Sequence, residues 1–245
     1  MRRIITAIEP FVVLLIAWAL AANSGLFSEA LEPLFAVLPY ILAALSLFMS
    51  IWYQNSNSFY LVFFVLCSYV ILKVSADHHN PGMLYEAVTF ISVLLPLNAV
   101  WLGFSKERGV FSSYGRNKGI IILAQILWTI INVAQKSGTA SAAETGEAAV
   151  RIGAPATVLY VLAVCILITS YIFQQHYMVL IFVSILLASY ILLSFAGQPL
   201  LTSIFATSIF AVTILALFEV SYSLAFYDPL TGVLSRRALE QELLN

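Results

Sequence analysis

Apolar residues in this chain gather into eight long runs separated by short polar stretches, and no run alternates apolar and polar positions with a period of two. Period-two alternation would mark the strands of a membrane barrel. Unbroken apolar runs of about 20 residues are what a helix needs to cross a hydrocarbon core of ~30 Å. The runs predict helices over residues 4–22, 31–52, 58–74, 83–104, 119–135, 154–173, 176–195 and 199–227. The expected fold is all-α, a polytopic transmembrane helical bundle of about eight spans whose last helix extends into the cytoplasm. Trp18, Trp52, Tyr53, Trp101 and Tyr177 fall near span ends, where amphipathic rings settle at the headgroups. Pro39 and Pro96 sit inside the second and fourth spans and predict kinks there. No internal repeat stands out along the chain, which counts against a transporter built from duplicated halves.

Composition removes the soluble alternative. Hydrophobic side chains make up 62% of the 245 residues and charged ones 9%, where soluble domains carry roughly 25% charged residues. Mean hydropathy is +0.98. A net charge of -1 excludes an extended nucleic-acid-binding surface. Cys67 and Cys165 both lie in apolar runs, so neither a disulfide framework nor a zinc site is expected.

Basic residues set the orientation. With eight spans both ends of the chain share one side, and that side collects Arg2, Arg3, Lys106, Arg108, Arg116, Lys118, Arg236 and Arg237. Lys73, Lys136 and Arg151 remain on the other. The asymmetry places both termini in the cytoplasm. Ala19-Leu20-Ala21 after Arg2-Arg3 loosely imitates a cleaved secretory signal, but Glu9-Pro10 interrupts its approach, and a retained first helix is expected. The loop at 136–153, rich in Ala, Gly, Ser and Thr, then lies outside, and the basic loop at 105–118 reads as a topology signal.

After the eighth run the character changes. Pro229 disfavours helical geometry at Asp228, Gly232 suits a turn, and Ser235 can cap a new helix. Asp228, Leu230, Thr231, Gly232, Arg236 and Arg237, with Val233 and Ser235 at variant positions, form a string that resembles the D-x-L-T-G-L-x-N-R-R opening of the GGDEF family of diguanylate cyclases. Ala225 and Glu240 fit that family's habits as well. The resemblance spans about 20 residues. It implies a membrane sensory domain at 1–226 and, at 227–245, the start of a catalytic domain whose metal-binding, guanine-contacting and GGDEF-loop residues lie further along than Asn245. This stretch itself is therefore expected to hold no cofactor and to catalyse nothing. GTP and Mg2+ are implied for the missing catalytic domain, and the parent protein is expected to make cyclic di-GMP.

Two such domains must face each other to join two GTP molecules, so a homodimer in the lipid bilayer is the implied assembly, controlled through the last helix. Glu219, together with the 228–237 string, is the expected coupling element. Ser203, Thr207 and Ala211 recur at helical spacing as a candidate interface, equally readable as packing within the bundle. Glu219 continues that stripe and is a candidate for a proton switch. The signal is an unknown small ligand or a change in pH. Asp77, His78, His79 and Glu86 form the candidate external ligand or pH site, and the same residues read equally as solvated loop side chains. Glu29 and Glu32 would face that side too, while His176 reads as an interfacial residue. A transporter or channel fused to a cyclase would need a polar pathway, for which Asn98, Gln125, Asn132 and Glu219 are the candidates. A degenerate or phosphodiesterase output is the other alternative.

Overall fold

The computed structural model describes residues 2–26, 31–78, 81–135, 152–174 and 177–226. These form eight helices and, among the described residues, no strand: α1 (Arg2–Ala22), α2 (Glu32–Trp52), α3 (Ser56–Asp77), α4 (Pro81–Phe104), α5 (Ser113–Gln135), α6 (Ala154–Gln174), α7 (Tyr177–Ser194) and α8 (Pro199–Phe226). Seven are long and apolar enough to cross a bilayer, and α1 adds a shorter apolar stretch over Ala7–Ala22. The chain is a polytopic helical membrane bundle.

Seven of the predicted spans agree with the helices to within a few residues. The exception is α5, which begins at Ser113 rather than at 119. Hydropathy misses its first turns because they are polar, yet Ser112 Oγ accepts from Gly115 N at 3.0 Å and starts the helix. The start of α3 is capped in the same way by Asn55, whose side chain accepts from Ser58 N at 2.9 Å. Helices α2 and α4 run on through Pro39 and Pro96.

Four helices form a central ring in the order α3, α4, α7, α8, each touching the next and α8 closing on α3. The other four fill the outer grooves. Helix α2 lies against α3 and α8, α1 against α7 and α8, α5 against α3 and α4, and α6 against α4 and α7. Advancing every helix number by four maps each of these contacts onto another one in the set. The bundle is thus two four-helix halves, α1–α4 and α5–α8, related by a pseudo-two-fold along the helix axes. This corrects the expectation of no repeat.

Side chains carry the same relation. Tyr40 of α2 and Tyr69 of α3 have ring centroids 5.5 Å apart, and Tyr160 of α6 and Tyr190 of α7 stand 5.3 Å apart. Around these pairs, Leu42, Ala43, Leu47 and Ser50 recur as Leu162, Ala163, Leu167 and Ser170. The run Ser68-Tyr69-Val70-Ile71-Leu72 recurs as Ser189-Tyr190-Ile191-Leu192-Leu193.

In lipid no hydrophobic force draws apolar helices together, so packing and local polar satisfaction must hold the ring. Buried serines return their protons to their own helices: Ser50 Oγ to the Ser46 carbonyl at 2.7 Å, Ser184 to Ile181 at 2.7 Å and Ser208 to Phe205 at 2.7 Å. Gly103 lets α4 approach α6, since a Cβ there would stand 2.9 Å from Leu167 Cδ2. Helices α7 and α8 are the most buried of the set.

Candidate functional site

The bundle has two ends. At one, α1 begins and α8 finishes; at the opposite one, α2 begins, α3 finishes and α8 begins. A half-open cavity of about 440 Å³ sits at that opposite end, between α2, α3 and α8. This volume lies within the range of small-molecule sites, ~300–1,000 Å³. Glu32 opens α2 and Lys73 lies in the last turns of α3, and both line the cavity. Tyr69, one turn below Lys73, is buried and shares a hydrogen bond of 2.9 Å with Ser203 Oγ on α8. Ser203 Oγ also lies 2.8 Å from the Pro199 carbonyl and gives its only proton there. Tyr69 is therefore the donor to Ser203, and each oxygen, on a residue that lines the cavity, keeps a lone pair free. Phe35 and Leu200 supply apolar wall. Lys73 Nζ lies 5.4 Å from the centroid of the Tyr40 ring, a cation–π distance. Among the described residues no ion pair joins Lys73 to Glu32, although the two charges face the same space.

A second polar cluster lies at the end where α1 begins and α8 finishes. Glu107, in the turn between α4 and α5, accepts from the backbone N–H of Ser56 at 2.9 Å and of Asn57 at 2.7 Å, so its carboxylate closes the N-terminus of α3. A negative charge at that place also suits the helix dipole. Burial of this carboxylate raises its pKa above the usual carboxylate range, and the Asn57 hydrogen bond, the Lys118 charge and the Ser56 bonds oppose the rise. Lys118 of α5 is only 4% exposed. Its Nζ donates to Asn57 Oδ1, to Ser56 Oγ at 3.2 Å and to the Lys106 carbonyl at 3.0 Å. Ser105 Oγ donates to Asn57 Oδ1 at 2.9 Å, and Asn57 Nδ2 donates to the Ser105 carbonyl at 2.8 Å. Three helix ends are locked by these six residues. Sequence reasoning took the 105–118 loop as a topology signal alone and missed the cluster. The available signal was a lone Glu107 among basic residues and a lysine beside the apolar run of α5.

The sequence-predicted site residues are dispersed. Asp77 ends α3, and His78 caps it, with Nδ1 2.8 Å from the Val74 carbonyl. Glu86 lies half-buried on α4. His79, His176 and Glu29 are outside the described residues, and among the described residues no three His, Cys, Asp or Glu side chains gather as metal ligands. Asp228, Leu230, Thr231, Gly232, Arg236 and Arg237 are likewise outside the described residues. Of the proposed stripe on α8, Ser203 is buried against Tyr69, while Thr207 and Ala211 are half-buried. The stripe continues to Leu215, Phe218 and Tyr222, which are exposed. Glu219 is half-buried, and it and Glu9 on α1 are the acidic residues nearest in effect to the Tyr177 hydroxyl. That hydroxyl is buried and has no hydrogen-bond partner among the described residues.

Of the residues considered for a polar pathway, Asn98 donates to Gln125 Oε1 at 2.7 Å across α4 and α5. Asn132 returns its amide proton to the Trp128 carbonyl of its own helix. These groups satisfy one another rather than line a passage. No protein-family model, curated protein or solved structure matches the chain.

Proposed function

We propose that this chain is the membrane sensory and regulatory domain of a diguanylate cyclase, acting as a homodimer in the bacterial inner membrane with both termini cytoplasmic. The observation that supports it is positional. The helix that runs into the 228–237 string, with its resemblance to the GGDEF opening, is also a member of the central ring, packed against α1, α2, α3 and α7. A rearrangement in any of these four moves α8. At 28 residues α8 is about 42 Å long, enough to cross the bilayer and carry a rotation to whatever follows. Control of cyclic di-GMP synthesis then amounts to control of how two catalytic domains face each other, and orientation of this kind is worth many kcal/mol of a barrier.

The test is helical phase. In the chain extended by a competent GGDEF domain, one alanine inserted after Ser223 rotates everything downstream by ~100°, whereas seven return nearly to the starting phase. Cyclic di-GMP production should be strongly misregulated with one or two added residues and largely preserved with seven. A response independent of insertion length would refute transmission through α8.

The internal two-fold favours a second reading, a transporter-like module fused to a cyclase, because parallel repeats are one architecture of transporters. Substrate sites in such proteins lie near the midplane between repeats. Here the cavity is at one end of the helices and the polar groups between α4 and α5 are mutually bonded, which supports the sensor.

A further inference from the structure

We infer that the cavity between α2, α3 and α8 is a binding site for a small zwitterion, with a primary ammonium held at Glu32 and an anionic group held at Lys73. The inference deepens the sensor reading by giving the chemical class of the signal. Its first support is the unpaired opposition of charge. Glu32 and Lys73 line one cavity with no ion pair between them, so a molecule carrying both signs completes both contacts at once. Lys73 is half-buried and Glu32 exposed at the mouth; charge-assisted hydrogen bonds are the strong ones, and a dipolar ligand adds no net charge to the site. The Tyr69 and Ser203 oxygens, whose protons are committed to Ser203 and Pro199, present lone pairs that suit N–H donors. The Phe35 and Leu200 walls accept an apolar body.

The second support comes from the pseudo-two-fold. The corner between α6, α7 and α4 is built on the same tyrosine pair, Tyr160 with Tyr190. In the register that superposes Tyr40 on Tyr160 and Tyr69 on Tyr190, Ile152 stands where Glu32 is and Ser194 where Lys73 is. The helix corner therefore folds without either charge. Opposite charges placed in one copy alone are not a requirement of the packing, and a ligand accounts for both. The contact to Ser203 puts the ligand directly on α8, the proposed output helix.

Free amino acids and the headgroup of phosphatidylethanolamine share this chemistry, and the experiment separates them. The purified chain in uncharged maltoside micelles is titrated calorimetrically with pools of the twenty α-amino acids, and any active pool is resolved to single compounds. The binder is then compared with its deaminated acid and its decarboxylated amine. In parallel, phosphatidylethanolamine is added to phosphatidylglycerol nanodiscs and bound lipid is read by native mass spectrometry. The expected result is that a zwitterion binds from one of the two sources and that each singly charged analogue binds roughly tenfold weaker or worse, the loss of one charge-assisted contact. Glu32→Gln should erase the advantage conferred by the ammonium and Lys73→Met that conferred by the anion, while Lys73→Arg retains binding. Circular dichroism of each variant confirms the helical fold. If neither source binds, or if binding ignores both substitutions, the site is wrong. Binding without any effect on cyclic di-GMP output would instead retain the site and remove the sensor reading.

Discussion

Replacing Lys118 with methionine keeps the length of the side chain and removes the charge at the centre of the α3–α4–α5 junction. Three acceptors lose a donor. Asn57 Oδ1 keeps the Ser105 hydroxyl at 2.9 Å, and Ser56 Oγ keeps the Glu107 carboxylate at 3.5 Å, so neither is stranded. The Lys106 carbonyl has Lys118 as its one hydrogen-bond partner among the described residues. Lys106 is exposed and this bond is only partly buried, so an unpaired carbonyl there costs about 1 kcal/mol, the low end of the usual range, and loss of the bonds to a charged donor adds ~1–2 kcal/mol. The desolvation of a buried ammonium is relieved at the same time, which keeps the total below the ~3–5 kcal/mol of a broken buried ion pair. The expected loss is about 2–3 kcal/mol, or a fall in melting temperature of about 5–10 °C for a chain of this size. Unfolding in mixed maltoside and dodecyl sulfate micelles, followed by circular dichroism at 222 nm (roughly the α-helical minimum), measures it. Lys106→Met is the control, because Lys106 enters the cluster through its backbone carbonyl alone. Combining Lys118→Met with Glu107→Gln should cost less than the two singles added together, since residues of one network couple by ~0.5–3 kcal/mol. Equal stability of Lys118→Met and Lys106→Met, or strict additivity of the double variant, would refute the reasoning.

Two other predictions concern Glu107 and the sidedness of the bundle. Because burial raises the Glu107 pKa, its contribution to stability is fully present below the unfolded carboxylate value of ~4.3 and is lost as pH rises through the higher folded value. The stability of the wild type relative to Glu107→Gln should therefore decline across the weakly acidic range and level off near neutrality, as read from unfolding midpoints over a pH series. A relative gain with rising pH would mean that the Asn57, Lys118 and Ser56 contacts outweigh desolvation. For sidedness, single cysteines in a background lacking Cys67 and Cys165 should react with an impermeant maleimide in intact cells at position 141 and only after permeabilisation at position 112. The reverse pattern would invert the proposed topology.

The spans were legible in the sequence because lipid leaves so few options. A chain that must satisfy its own backbone in hydrocarbon announces its helices as apolar runs, and seven of the eight fell within a few residues of the observed ends. The first turns of α5 were illegible for the converse reason: they are polar, with Ser113, Tyr114, Arg116 and Asn117 exposed and Lys118 buried in the cluster, and hydropathy reads polar as outside. The partners of that cluster lie far apart along the chain, 51 positions from Ser56 to Glu107, and no local pattern connects them. The candidate cavity was hidden in the same way, since Tyr69 and Ser203 are 134 positions apart.

The internal two-fold was harder still, and the reason bears on function. Helices in lipid pack through interchangeable small and apolar side chains, so two copies of a four-helix unit can diverge almost everywhere while retaining every contact. What persists are the groups that packing cannot exchange freely: the tyrosine pairs, Ala43 with Ala163, and Ser50 with Ser170. In a scaffold of this kind the informative positions are those where one half carries chemistry that the other does without. Glu32 and Lys73 meet that condition against Ile152 and Ser194. The Glu107–Lys118 junction meets it as well, because it sits at the turn between the halves, which has no counterpart. The repeat supplies the common frame, and its departures from symmetry mark the cavity lined by Glu32 and Lys73 and the junction that ties the start of α3 to the end of α4 and the start of α5.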